Sequence, residues 1–286
     1  MDLLGGVQKA MRHMLRVRGV ESKVVPVSGQ SVHMYELKGQ GKGPPVVLVH
    51  GLGGSSNGFA GVFFGLARRF SRVLAVDLPG HGFSAEYCGG PVCVRGQFDV
   101  LRAWCEQRVG EPAFVVGNSL GGAMCVKLAA DHPSLVHSLG LVAPAGAALA
   151  PEVFDSLLSS FNIQTPAEAR ALTRRLFHKP PLPLMLFAME LKKFYGTATV
   201  QALAAEARAT RESLAPELLR SLKMPVLLVW GGSDRLLPAE TLDYYRAHLP
   251  AHASVRVVEG FGHVPQVERP DELVSHLVQF ADTARL

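Results

Sequence analysis

The stretch VVGNSLGGAM, residues 115–124, decides the fold of this chain. An apolar run ends at Ser119, which stands between Gly117 and Gly121 in the pattern G-x-S-x-G, and helical periodicity follows. The pattern therefore falls where a buried strand turns sharply into a helix, and glycine at both flanking positions removes side chains that would clash in so tight a turn. The Ser119 hydroxyl is then expected at the carboxyl edge of a sheet, at a helix amino terminus that favours developing negative charge.

A serine hydroxyl becomes a nucleophile only when a base takes its proton and an acid orients that base. Among the eleven histidines, His263 in EGFGHVPQVERP is the best candidate base, because it follows the last strand pattern in a glycine-bearing loop. Asp234 ends the preceding strand in WGGSDRLLP and is the candidate acid. Asp77 also ends a strand but lies in the turn DLPGHG, and the loop after LGLVAPAG has no acidic residue before Glu152. The predicted order is Ser119, Asp234, His263.

Strand and helix patterns alternate along most of the chain. Six short apolar runs end in turn residues: PVVLVHG (45–51), RVLAVDLPG (72–80), AFVVGNS (113–119), SLGLVAPAG (138–146), PVLLVWGGSD (225–234) and SVRVVEGFGH (254–263). Residues 24–38 alternate and predict an antiparallel hairpin at one edge. Runs that are apolar on both faces, separated by helices, are typical of a buried parallel sheet with helices on both sides. The sequence therefore predicts an α/β protein with a mostly parallel, eight-stranded sheet.

The alternation breaks once, where about 75 residues show helical periodicity with proline breaks and no strand pattern. This segment predicts an inserted helical cap over residues 147–221. The α/β core is then expected to comprise residues 24–146 and 222–286, preceded by an amphipathic helix within residues 1–23.

Composition restricts the functional class. Of 286 residues, 48% are hydrophobic and 19% charged, which is typical of a folded globular protein. The net charge is +5, and residues 1–23 carry five basic against two acidic residues, so the remainder is close to neutral and a nucleic-acid groove is not expected. The first helix either packs on its own domain, which we favour, or makes a weak membrane-surface contact through residues 1–20. With neither a secretory signal nor a long apolar run, we expect a cytoplasmic protein.

The segments HGLGG, DLPGHGFS, GNSLGG, GGSDRLLP and GFGHVPQVERP occur in this order, and together they resemble the α/β-hydrolase fold superfamily. The resemblance extends from about residue 24 to the end of the chain. It implies a catalytic triad of Ser119, Asp234 and His263 that performs two-step acyl transfer, with no metal and no organic cofactor. The sharp strand-to-helix turn that holds the nucleophile is called the elbow in this superfamily. A serine at the elbow also distinguishes the chain from the haloalkane dehalogenases and epoxide hydrolases of this fold, which use an aspartate as the nucleophile.

The same resemblance implies an oxyanion hole of two backbone N–H groups. One comes from Leu120, directly after the nucleophile, and the other from the loop after the His-Gly pair, where Leu52 matches best and Gly53 is the alternative. The apolar residues of the predicted cap are expected to contribute to a substrate pocket. Gly53, Phe187 and Val264 are assigned to it.

An esterase for a small or medium hydrophobic carboxylic ester is the preferred function, with a monoacylglycerol-type lipase close to it. The alternative is a carbon–carbon bond hydrolase of aromatic ring-cleavage products. Those enzymes often have a tryptophan shortly after the catalytic histidine, which residues 264–267 lack, and a cap arginine for the substrate carboxylate, for which Arg170, Arg174, Arg175, Arg208 and Arg211 are unassigned candidates. A cofactor-free perhydrolase and a ligand receptor on the hydrolase fold complete the alternatives.

Overall fold

The computed structural model describes residues 3–284, and one eight-stranded sheet forms their centre. The strands are β1 (Glu21–Val27), β2 (Gln30–Lys38), β3 (Val46–Val49), β4 (Arg72–Val76), β5 (Ala113–Ser119), β6 (Val136–Pro144), β7 (Val226–Gly231) and β8 (Ser254–Val258). Their spatial order is β1-β2-β4-β3-β5-β6-β7-β8. β1 and β2 pair antiparallel, β2 pairs antiparallel with β4, and the other pairs are parallel. The predicted mostly parallel α/β sheet is confirmed.

Helices connect the parallel strands and fill the segment between β6 and β7. They are α1 (Leu3–Val17), α2 (Phe63–Ala67), α3 (Val94–Trp104), α4 (Leu120–Asp131), α5 (Pro151–Ser159), α6 (Pro166–Leu176), α7 (Leu182–Leu186), α8 (Lys192–Tyr195), α9 (Ala198–Thr210), α10 (Pro216–Arg220), α11 (Ala239–His248), α12 (Pro265–Glu268) and α13 (Pro270–Thr283). Short 3₁₀ turns lie at Ser56–Phe59, Pro133–Leu135 and Ala188–Leu191, and a π turn at Cys105–Val109 continues α3. Among the helices built from residues 3–284, none has the length and apolar character needed to cross a bilayer.

The sheet is buried on both faces because successive side chains of a strand point to opposite sides. In β3, Val47 and Val49 pack with α3 and α4, whereas Val46 and Leu48 pack with α2 and α13. A continuous apolar run such as this one is what a strand covered by helices on both faces requires.

Residues 147–221 are described throughout, and every regular element in them is helical (α5 to α10 and one 3₁₀ turn). We call these residues the helical insertion. Proline at the first turn of α5, α6, α7 and α10 starts four of its helices, because proline has the backbone φ of a helix and needs no partner for a missing N–H. α6 also has a capping box, in which Thr165 and Glu168 bond reciprocally to each other's backbone N–H.

α1 contacts both the core and the helical insertion. Leu15 is fully buried against the α2–α13 side of the sheet. The Leu4 N–H donates to Glu190 Oε2 of the insertion at 3.2 Å, and Asn57 Nδ2 of the core donates to the Gln8 carbonyl at 3.2 Å. The helix is therefore part of the packed domain.

Candidate active site

Ser119 occupies a strained backbone conformation between β5 and α4. Its φ of 56° and ψ of −123° are rare for a residue with a side chain and cost about 1–3 kcal/mol unless the surroundings enforce them. The flanking glycines allow this turn: a Cβ on Gly117 would lie 2.4 Å from the Gly121 carbonyl oxygen, and one on Gly121 would lie 2.4 Å from that of Val49. The turn holds the Ser119 side chain at the wall of a cavity.

His263 and Asp234 form a buried pair at the same edge of the sheet. His263 Nδ1–H donates to Asp234 Oδ2 at 2.8 Å, and both side chains are almost completely buried. The other carboxylate oxygen, Oδ1, accepts the backbone N–H groups of Leu236 at 2.8 Å and Leu237 at 3.1 Å. A carboxylate held this way keeps the proton of a neutral imidazole on Nδ1 and leaves the Nε2 lone pair available to take a proton.

Asn118, directly before the serine, connects the serine turn to β6 and to the segment that carries His263. Its Nδ2 donates to the carbonyl oxygens of Val142 and His263, each at 3.0 Å, and its Oδ1 accepts from Gln266 Nε2 at 3.0 Å. Among the described residues no hydrogen bond joins the Ser119 hydroxyl itself to His263. Such contacts are often long in an unliganded site and tighten when substrate binds. Sequence analysis missed Asn118, whose signal was an amide immediately before the elbow serine.

The loop after β3 approaches Ser119 closely. A Cβ on Gly51 would lie 2.8 Å from Ser119 Cβ, so only glycine fits there. His50 fixes the loop, because its Nδ1–H donates to the Gly51 carbonyl at 2.8 Å while its Nε2 accepts the Leu78 N–H at 3.0 Å. Burial lowers the pKa of His50 and keeps it neutral in this role.

Asp77 serves the structure of the neighbouring turn. Its Oδ1 accepts the Ser56 N–H at 2.6 Å, and its Oδ2 accepts the Phe83 N–H at 2.9 Å and His33 Nδ1–H at 2.8 Å. Burial acts to raise the pKa of Asp77, but the hydrogen bond from His33 and the nearby imidazoles outweigh it and the pKa is lowered. With these partners Asp77 is not available to orient His263, in agreement with the choice of Asp234.

An apolar cavity of about 400 Å³ lies between the sheet edge and the helical insertion. Leu52, Ser119 and Leu120 lie on its wall, together with Ala123, Met124 and Lys127 of α4, Val94 and Phe98 of α3, Phe154, Leu157, Leu158 and Phe161 of or just after α5, Leu203, Ala204, Glu206, Ala207 and Thr210 of α9, and Ala145, Gly146, Glu212, Ser213, Leu214, Ala215, Leu218, Leu236 and Leu237. Ser119 therefore lies in the strained turn and also lines the apolar cavity.

The three residues assigned from sequence to the substrate pocket are not among those that line this cavity. Phe187 is 51% exposed, and its assignment to the pocket stays a prediction. Gly53, with φ of 67°, lies against the ring of Tyr195, which a Cβ at this position would approach to 2.7 Å. Val264 is partly buried against the core. The residues that line the cavity include side chains of α4, α5 and α9, whose orientation is set by tertiary packing.

The helical insertion is tied directly to the His263 loop. The His263 N–H donates to the Leu176 carbonyl at 2.8 Å. The Glu268 carboxylate accepts the backbone N–H groups of Gly262 at 3.1 Å, His178 at 3.1 Å and Lys179 at 2.7 Å. These hydrogen bonds connect the helical insertion to the loop that carries His263.

Comparison with known proteins supports the fold. Residues 44–270 match the family described as alpha/beta hydrolase fold. The chain is 30% identical to the dihydrolipoyllysine-residue acetyltransferase component of the acetoin cleaving system of Pseudomonas putida, over 93% of this chain and 70% of that protein. It is 27% identical to Lipase 1 of Psychrobacter immobilis, over 96% and 88% of the two chains. The crystal structure of a membrane phospholipase A, a bacterial virulence factor, superposes with a TM-score of 0.84 at 29% identity, over 99% of this chain and 91% of that one.

Proposed function

This chain belongs to the α/β-hydrolase fold family, and from that premise we propose that it is a serine esterase for small or medium hydrophobic carboxylic esters. One observation carries the proposal: the strained serine at the elbow, Ser119, lies on the wall of an apolar cavity of about 400 Å³. Hydrocarbon walls of this kind suit the acyl chain of an ester. The named lipase and phospholipase relatives support ester hydrolysis as the reaction class.

The proposed reaction has two halves. Ser119 Oγ attacks the ester carbonyl carbon while His263 Nε2 takes its proton, and the backbone N–H groups of Leu52 and Leu120 stabilise the oxyanion. Collapse of the tetrahedral intermediate breaks the bond to the alcohol, which receives the proton from His263 and leaves an acyl-Ser119. Water, deprotonated by His263, then attacks the acyl carbon and releases the acid. Asp234 holds His263 in the required tautomer throughout.

The lining that α4 contributes to the cavity suits a linear acyl chain. Leu120, Ala123, Met124 and Lys127 lie on one face of α4 and all line the cavity. From Leu120 to Lys127 the helix rises about 10 Å, so the α4 side of the cavity extends from Ser119 over about the length of a medium acyl chain. An acyl chain that follows this face reaches Lys127 at its far end, and Glu206 of α9 adds a second charged side chain to the lining.

The test is steady-state hydrolysis of p-nitrophenyl esters of increasing acyl length by the wild-type protein and by Ser119→Ala. We expect turnover by the wild type and a loss of about a thousandfold or more in a folded variant. A fluorophosphonate probe should label the wild-type protein at Ser119 and leave the variant unlabelled. Near-normal turnover by the folded variant would overturn the proposal.

One further substrate tests the alternative reaction. A vinylogous diketone acid of the kind produced by aromatic ring cleavage should be left intact if the protein is an esterase. Cleavage of this acid without hydrolysis of any ester would identify a carbon–carbon bond hydrolase instead. A single burst of ester cleavage without steady turnover would indicate a ligand receptor.

A further inference from the structure

A second pocket, of about 360 Å³, adjoins the apolar cavity. Leu157, Leu236 and Leu237 line both spaces, so the two adjoin at these residues. The other lining residues of the second pocket are Glu152, Val153, Ser156, Arg175, Arg235 and Pro238. Two arginines and one glutamate thus stand beside apolar residues in this pocket, and Arg235 and its neighbours place it on the side of the site that carries Asp234.

Two arginines give the second pocket its positive charge. Arg235 directly follows Asp234, and its N–H donates to the Arg175 carbonyl at 3.3 Å, which keeps the two residues adjacent. Arg175 donates to the Ser160 hydroxyl, and the Arg235 guanidinium donates weakly to the Arg174 carbonyl at 3.4 Å. Within residues 3–284 neither guanidinium forms an ion pair with a carboxylate, Glu152 on the same pocket wall included.

Two other arginines of the helical insertion form ion pairs with a carboxylate. Arg208 and Arg211 pair with Asp155 at 3.6 Å and 2.9 Å. Arg175 and Arg235 lack such a partner but line a concave space beside the candidate active site. A planar guanidinium binds carboxylate and phosphate oxygens through two parallel N–H groups, so an adjacent pair of them is suited to an anion.

We propose that the second pocket binds an anionic group carried on the alcohol side of the ester, an inference that rests on the proposed esterase function. The acyl chain occupies the cavity along α4 towards Lys127, which leaves the opposite direction from Ser119 to the alcohol. Leu157, Leu236 and Leu237 line both spaces, so an alcohol that extends from Ser119 past these residues would reach Arg175 and Arg235. The substrate class is thus an amphiphilic ester with an apolar acyl chain and a phosphate or carboxylate on its alcohol.

Binding to the Ser119→Ala protein tests the anion pocket without catalysis. Titration calorimetry compares 1-octanoylglycerol 3-phosphate with neutral 1-octanoylglycerol, and we expect the phosphate compound to bind at least about tenfold more tightly. Adding Arg175→Gln and Arg235→Gln should remove this difference. Arg170→Gln, an exposed arginine of α6 outside the pocket, should preserve it. Equal affinity for the two compounds, or a preference that survives the double substitution, would overturn the inference.

Steady-state kinetics test whether the second pocket binds carboxylates as well as phosphates. They also test the esterase function independently of anion binding. The wild-type kcat/KM for 4-carboxyphenyl octanoate is compared with that for phenyl octanoate, and the ratio should fall about tenfold in Arg235→Gln if carboxylates bind. Because Arg235 is exposed, its substitution should leave the fold intact. A ratio unchanged in the variant, with the phosphate preference intact in calorimetry, would restrict the pocket to phosphate. Absence of phenyl octanoate hydrolysis by the wild type would overturn the esterase function, whereas the calorimetry alone decides the anion pocket.

Discussion

The backbone N–H of His263 donates to the carbonyl oxygen of Leu176 at 2.8 Å, which joins the candidate base to the last residue of α6. Glu268 strengthens this connection through three further backbone N–H groups from both segments. The position of the imidazole therefore depends on the helical insertion as well as on the strand that precedes its loop.

Replacing Glu268 with alanine should loosen this connection. Three backbone N–H groups lose a charged acceptor, and we expect the free energy of unfolding to fall by about 2 kcal/mol and kcat to decrease. Thermal unfolding and ester kinetics measure the two effects. Glu272→Ala removes an exposed carboxylate that pairs only with Arg269 in the part of the chain described, and it serves as the control. Equal behaviour of the two variants would contradict the anchoring role.

Asp234→Asn tests the orientation of the imidazole. An amide can donate to Nδ1, which would place the histidine proton on Nε2 and block its role as base, so kcat should fall about ten-thousandfold. The burial of the site and the two backbone N–H groups on Oδ1 favour retention of the fold. Labelling by a fluorophosphonate should slow in parallel. Asp243→Asn, an exposed position, should retain full activity, and a larger loss there or in Glu152→Gln would show that the acid has been misassigned.

Acyl-length preference should respond to the α4 wall of the cavity. Ala123→Leu adds side chain at a narrow point, where a Cβ on Gly146 would already lie 3.1 Å from Ala123 Cβ. Each excluded methylene forfeits about 0.8 kcal/mol, or about fourfold in kcat/KM, so octanoate esters should lose at least tenfold while butyrate esters change little. Phe187→Ala, at a half-exposed position outside the cavity, should keep the wild-type profile. The reverse result would restore Phe187 as a pocket residue.

Deletion of residues 1–20 should destabilise the domain. The deletion removes the fully buried Leu15 and the hydrogen bond from Leu4 to Glu190, and a loss of about 2 kcal/mol would lower Tm by about 5 °C. Thermal unfolding measures this change. Substitution of Val7 by alanine, at an exposed position of the same helix, should leave Tm unchanged. An unaltered Tm after deletion, combined with lost binding to anionic liposomes, would favour a membrane-surface role for α1.

Acidification should destabilise the protein through His81. Burial lowers the pKa of His81 to about 4, and its Nε2 has no hydrogen-bond partner among the described residues. The unfolded chain binds this proton near pH 6.5, so the folded state loses up to about 3 kcal/mol as the pH falls from about 6.5 to 4 and loses none above that range. Urea unfolding at pH 7.5 and 4.5 measures the difference. His81→Asn should reduce it, and the exposed His137→Asn should not.

Local sequence patterns predicted most of the fold, whereas some contacts of the candidate site depend on residues far apart in the sequence. The strand of Ser119 and its glycines are encoded within ten residues, so the elbow could be predicted from sequence. Asn118 bonds Gln266 across 148 positions, and no local pattern records that contact. The sequence shows the apolar character of Phe187, but which residues of the insertion face the cavity depends on how its short helices pack against one another.

The position of the helical insertion also has a consequence for biosynthesis. The ribosome completes the serine turn before residue 147, but the acid and the base follow only after the whole insertion has been made. β7 and β8, which join the sheet beside β6, are the last strands to be synthesised. A nascent chain arrested before residue 254 should therefore carry an inert Ser119, and the newly made protein should gain hydrolytic activity in one late step.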